Sequence, residues 1–95
     1  MYRHIVLYRL KDPSGAEALK EKFLTLKGNV PQVRELEVGI DTLRSPRSYD
    51  VCLSVLFEKA EDLPAYKAHP FHVKVSEYVH AVIASSVSCD YEEDR

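Results

Sequence analysis

No apolar run in this sequence approaches the roughly 20 residues that a membrane-spanning helix needs. Long runs of lysine or arginine are also missing, and the 13 basic and 15 acidic side chains give a formal charge of −2. Nucleic-acid and anionic-membrane binding therefore have little support, and neither is expected as a partner. The opening Met1-Tyr2-Arg3-His4 leads straight into a strand-like run. It lacks the charged, apolar and small-residue regions of a secretory leader, so a cytoplasmic location is expected. There are only two cysteines, Cys52 and Cys89, and no CxxC pair. Both are expected to be reduced core or interface residues, with a buried disulfide between them the lesser alternative. Repeats, linkers and low-complexity segments are absent, so the reading is a single domain over residues 1–95.

What is present is ordinary globular composition, 45% hydrophobic and 29% charged, which excludes a disordered chain. A domain this short buries only about 60–68% of its unfolded surface, so self-association is a natural way to bury more.

Residues 2–11 are rich in β-branched and aromatic types and hold no glycine or proline, which is strand chemistry. His4, Val6, Tyr8 and Leu10 share one face; Arg3, Ile5, Leu7 and Arg9 share the other. Asp12-Pro13 breaks the strand. Ser14 and Glu17 then have the spacing of a capping box. The helix behind them carries Leu19, Phe23, Leu26 and Val30 as one stripe and ends at Gly28-Asn29. Val33–Asp41 alternates as a half-exposed strand, and Tyr49–Phe57 reads as a third strand. Asp62 opens a second helical region. Pro70 divides it into pieces over about 62–68 and 70–79. A last strand is expected over about 81–91, with Ile83, Val87 and Cys89 on one face, followed by a frayed acidic tail.

The order strand, helix, strand, strand, helix, strand, joined by right-handed crossovers, predicts an α+β, ferredoxin-like βαββαβ sandwich. Helices cover one face of such a sheet. The other face would expose Ile5, Leu7, Leu56, Ile83 and Val87, too large an apolar patch for a solitary subunit. A homodimer through that open sheet face is the expected solution.

Leu63–Val73 is the most specific stretch of the chain, with Tyr66, His69, Pro70 and His72 in the pattern Tyr-x-x-His-Pro-x-His. It closely resembles the signature of the stress-responsive dimeric α/β-barrel family. Arg3-His4-Ile5-Val6-Leu7 is similar to that family's first strand. Val30-Pro31 with Glu37-Val38-Gly39, Ser48-Tyr49-Asp50 and Phe57-Glu58 resemble its middle segments. The resemblance implies a dimeric α/β barrel. One plant branch of the family closes a polyketide chain into an aromatic acid without metal or organic cofactor. Its catalytic tyrosine and histidine match Tyr66 and His72, and a nearby first-strand histidine matches His4. Where that branch has a third-strand histidine, this chain has Val51, and the first helix is a few residues longer here.

The candidate catalytic residues are therefore His72, Tyr66 and His4. In the first turn of the second helical piece, His72 would be held neutral by the positive helix end, as a general base requires. Tyr66 could donate to a carbonyl or enolate oxygen. His69 has a structural reading as the cap before Pro70 and a second as a ligand contact. Val6, Tyr8, Phe23, Leu26, Val51 and Leu53 are candidate lining residues whose alternative is plain core. The histidine spacing of three, with proline inside, does not suit a metal, and neither metal nor cofactor is expected. The leading reading is a small apolar or aromatic ligand held between sheet and helices, with no turnover required. The alternative is a cofactor-free cyclase or isomerase using a His/Tyr acid–base pair. A weaker third is a monooxygenase-like dimeric barrel.

Overall fold

A computed structural model describes residues 1–94. β1 (Tyr2–Leu10) leads through a 3-10 turn (Pro13–Gly15) into α1 (Ala16–Leu24). β2 (Glu35–Ile40) and β3 (Val51–Phe57) follow, then α2 (Asp62–Ala68), α3 (Pro70–Val82) and β4 (Ile83–Glu92). The four strands form one antiparallel sheet in the order β2-β3-β1-β4. This is the ferredoxin-like arrangement expected from the pattern of strands and helices. Period-two alternation puts His4, Val6, Tyr8 and Leu10 of β1 beneath the helices, where all four are buried. Val6, Tyr8 and Leu10 join Leu19 and Phe23 of α1, Leu53 and Val55 of β3, and Val75 and Val79 of α3 in the core. Among the described residues no helix is long and apolar enough to cross a membrane.

The start of α1 differs from expectation. Ser14 does not cap the helix: its amide and hydroxyl both donate to the Asp12 carboxylate. Gly15 stands at the N-cap without a side-chain bond. An acidic residue two positions upstream competes successfully for the serine, and Pro13 favours the short turn between them. α1 proper stops at Leu24, and Leu26 and Val30 are buried from the turns that follow. In those turns Leu26, Lys27 and Asn29 donate to carbonyls three residues back. Gly28 then takes a φ of 86°, a backbone conformation that glycine adopts without strain.

β4 also departs from the reading by period. α3 continues to Val82, three residues beyond expectation, and a register shift lies opposite Arg9/Leu10. Ile83 consequently pairs with Leu10 and faces the helices, not the open side. The bulge flips the alternation relative to a regular strand. Nor is the acidic tail frayed through its length. The Glu93 amide donates to the Met1 carbonyl, and its carboxylate pairs with Arg3.

The open side of the sheet carries Ile5, Leu7, Cys52, Val87, Cys89 and Tyr91 in adjacent register. Leu56 shares this side but is fully buried within the subunit. Its neighbours in register are Arg3 and Glu35, whose charged groups approach to 3.9 Å across it. Such a partly exposed pair contributes no more than about 1 kcal/mol, so its main effect is to cover the leucine. The two cysteines are free. They lie on β3 and β4, with β1 between them. That separates their Cα atoms by about 9.5 Å or more, beyond the roughly 7 Å limit for a disulfide.

Candidate functional site

The junction of α2 and α3 is built by Pro70. It occupies the first position of α3, where its missing N–H costs nothing. The residue before a proline is pushed out of the helical region, and His69 accordingly has φ −62° and ψ 132°. Its Nδ1 accepts a hydrogen bond from the Phe71 amide at 3.1 Å, so His69 is the N-cap of α3. That amide would otherwise have bonded the Lys67 carbonyl, one of the unsatisfied acceptors at the end of α2. The His72 ring takes its place, with Nδ1 3.2 Å from the Lys67 carbonyl oxygen. A carbonyl only accepts, so Nδ1 carries the proton and a neutral His72 presents Nε2 as a lone pair. Burial lowers the proton affinity of the ring below the ordinary histidine value. The nearby charges of His4, Lys67 and His69 push the same way, and the bond to Lys67 opposes them.

Tyr66, one residue before Lys67, is only 1% exposed. Its ring packs against those of Phe57 (5.1 Å between centroids), His72 (4.4 Å) and His4 (6.2 Å). The Tyr66 hydroxyl is sealed from solvent and has no hydrogen-bond partner among the described residues. Burial raises its pKa far above the usual phenol range, so it remains a neutral donor. A ligand reaches this hydroxyl only if a side chain shifts, and the half-buried His72 is placed to do so. On the other side, His4 Nδ1 is hydrogen-bonded to Asp90 Oδ1. The two residues are register partners on β1 and β4. The carboxylate fixes the ring orientation and places the proton on Nδ1.

His4, Tyr66 and His72 stand at one end of a cleft of about 590 Å³ between α3 and β4, within the roughly 300–1,000 Å³ of ordinary ligand pockets. Val6 and Tyr8, Phe23, Leu53, Val75, Val79 and Ile83 supply its apolar walls. Ser76 of α3 and Ser86 and Ser88 of β4 line it with hydroxyls. The cleft exists because α3 does not cover β4, whose helix-side residues Ser86, Ser88 and Asp90 all remain exposed.

The structure brings His4, Val6, Tyr8, Phe23, Leu53, Tyr66 and His72 together around this cleft. Leu26 and Val51 do not border it and are core residues. His69 also lies off it, as a cap. His80 is on the final turn of α3 at the cleft edge. Asp90, Lys67 and the serines were missed. For Asp90, Ser86 and Ser88 the signal in the sequence was their alternation with Val87, Cys89 and Tyr91, which marks a strand polar on its helix side; Lys67 and Ser76 carried none. Among the described residues no three His, Cys, Asp or Glu side chains converge as a metal site.

A ferredoxin-like α+β subunit with a His/Tyr-lined cleft under its last helix defines the class. The profile of the stress-responsive A/B barrel domain (Dabb) family matches residues 2–93, and the chain belongs to that family. Among solved structures, a dimeric protein of unknown function and ferredoxin-like fold from Bacteroides fragilis is similar. It has a TM-score of 0.84 at 25% identity, covering 97% of this chain and 95% of that one. A protein from Arabidopsis thaliana has a TM-score of 0.86 at 22% identity, with coverage of 100% and 97%. A hydroxynitrile lyase from Passiflora edulis has a TM-score of 0.80 at 16% identity, with coverage of 95% and 90%. These last two likenesses are of fold. No match was found among curated proteins.

Proposed function

We propose that this protein binds a small, largely apolar or aromatic molecule in the cleft between α3 and β4, as a homodimer joined through its open sheet face. One observation carries the binding reading: the polar cluster at the cleft end is incompletely satisfied. The buried Tyr66 hydroxyl has no partner among the described residues, and beside it the half-buried His72 has only its Nδ1 engaged, by the Lys67 carbonyl. Buried polar groups are nearly always bonded, and an unbonded one calls for an explanation. A ligand oxygen placed between them would supply it. The dimer reading rests on the apolar row Ile5, Leu7, Val87 and Tyr91 and on the dimeric Bacteroides fragilis relative.

The test follows the His72 imidazole by NMR during a pH titration, with and without aromatic acids and short polyketide mimics. Binding moves the resonances of His72 and of the cleft residues Val75, Val79 and Ile83, and His72→Ala weakens the shifts of those three. A ring that titrates like free histidine and ignores every probe refutes the reading.

Acid–base chemistry on the bound molecule is the second reading, favoured by the tautomer of His72. The bond to Lys67 leaves Nε2 unprotonated, ready to take a proton beside a carbonyl. Tyr66 would then donate to the enolate oxygen. Enzyme-dependent exchange of α-protons with deuterated solvent, lost in His72→Ala, is the expected signature. Equal exchange by wild type and variant excludes it.

A further inference from the structure

The cleft carries an unused charge beside His72. Lys67 follows Tyr66 on α2 and lines the cleft, and its side chain is exposed. No carboxylate among the described residues lies within ion-pair distance of its ammonium group. The backbone of Lys67 is tied to the site through the bond that its carbonyl accepts from His72. The second charged lining residue is Glu77, also without an ion-pair partner among the described residues. It lies five positions beyond His72 on α3, about 7.5 Å further along the helix axis. The charged side chains that line the cleft are thus separated, Lys67 where α2 meets α3 and Glu77 further along α3, while the Asp90 carboxylate near the first end is engaged by His4.

We propose that Lys67 makes the cleft selective for ligands with a single carboxylate, held beside His72, while the apolar body lies along Val75, Val79 and Ile83. The assignment rests on the ligand-binding reading above and deepens it. A carboxylate suits this end better than a phosphate. Among the described residues one ammonium group is the only cation that lines it besides histidine, and no arginine borders the cleft. Two of the amides at the start of α3 are already used, Phe71 N–H by the His69 ring and Val73 N–H by the His69 carbonyl. A dianion would therefore lack the several donors that phosphate sites assemble. Glu77 repels the carboxylate from the other part of the cleft, so the two charges also set the direction in which a ligand lies.

The experiment compares 2-naphthoate with 2-naphthamide, its neutral counterpart of nearly the same shape. Binding is read by calorimetry and by NMR shifts of cleft residues, in wild type, Lys67→Met and Lys67→Arg. The acid should bind wild type about tenfold tighter than the amide, the size of one charge-assisted hydrogen bond. Lys67→Met should lose that preference with amide binding unchanged, and Lys67→Arg should keep it. Equal affinities for acid and amide in wild type, with cleft shifts present, overturn the role of Lys67 and leave the binding reading standing. A preference that persists in Lys67→Met overturns it as well. Absence of binding and of any cleft shift with both probes overturns both readings together.

Discussion

Replacing Tyr66 by phenylalanine should make the unliganded protein more stable and its ligand binding weaker. The tyrosine hydroxyl is sealed from solvent and finds no hydrogen-bond partner among the described residues. A buried polar group left in that state costs about 1–3 kcal/mol. Phenylalanine keeps the ring and its contacts with Phe57, His72 and His4, removes the desolvated oxygen and leaves only a hydroxyl-sized void. The net gain expected is about 1 kcal/mol, after subtracting a few tenths for lost packing. In a domain of this size that corresponds to a rise in Tm of roughly 4–8 °C. Urea unfolding with unchanged m, at matched protein concentration to hold association constant, gives the free energy. The opposite sign is the refutation. A Tyr66→Phe protein destabilised by about 0.5 kcal/mol or more would mean that the hydroxyl is bonded in solution, and the ligand reading would lose its main support.

His72 should titrate below the ordinary histidine value of about 6.5, because burial and the charges of Lys67, His4 and His69 disfavour its protonated form. The folded state then binds fewer protons than the unfolded chain. The stability this ring contributes is complete above the unfolded pKa and is lost as pH falls towards the folded one. In His72→Asn that slope should vanish, as pH-dependent urea unfolding would show. Asp50→Ala should cost about 1–3 kcal/mol, since the buried carboxylate accepts from the Leu10 amide at 2.8 Å and from Arg44 at 2.8 Å. Both bonds hold the Asp50 pKa below the usual carboxylate range, the Leu10 amide most of all. Its contribution should therefore persist above about pH 4 and fade only in stronger acid. Leu7→Asp should give a monomer by light scattering, whereas Leu56→Asp should fail to fold properly, because Leu56 is interior to the subunit. A native-like Leu56→Asp monomer would contradict that placement.

Local chemistry wrote most of the fold into the sequence. β-branched runs and period-four stripes predict the element order, and Pro70 alone explains why α2 and α3 are separate, why His69 is a cap and why His72 lies in a first helical turn. These are effects within a few residues. What escaped depends on pairing between distant residues. His4 and Asp90 are 86 positions apart and meet only through β1–β4 register. That register contains a bulge that no alternation count reveals, so Ile83 was assigned to the wrong face. The burial of Leu56 required knowing that Arg3 and Glu35 flank it from two different strands.

The polarity of β4 joins the fold to the site. A strand meant to lie under a helix in a two-layer sandwich should be apolar towards that helix. β4 is the reverse, with Ser86, Ser88 and Asp90 on the helix side and Val87, Cys89 and Tyr91 on the open side. Covering the serines with α3 would have stripped water from three polar side chains for little apolar gain. The sequence therefore disfavours closing the sandwich at its β4 edge and leaves a groove there. Substituting Ser86 and Ser88 together by valine should reverse that balance, drawing α3 onto β4 and shrinking the cleft. The expected result is a more stable protein with weaker binding of 2-naphthoate. Unchanged affinity in the double variant would show that the hydroxyl wall of β4 has no part in keeping the groove open.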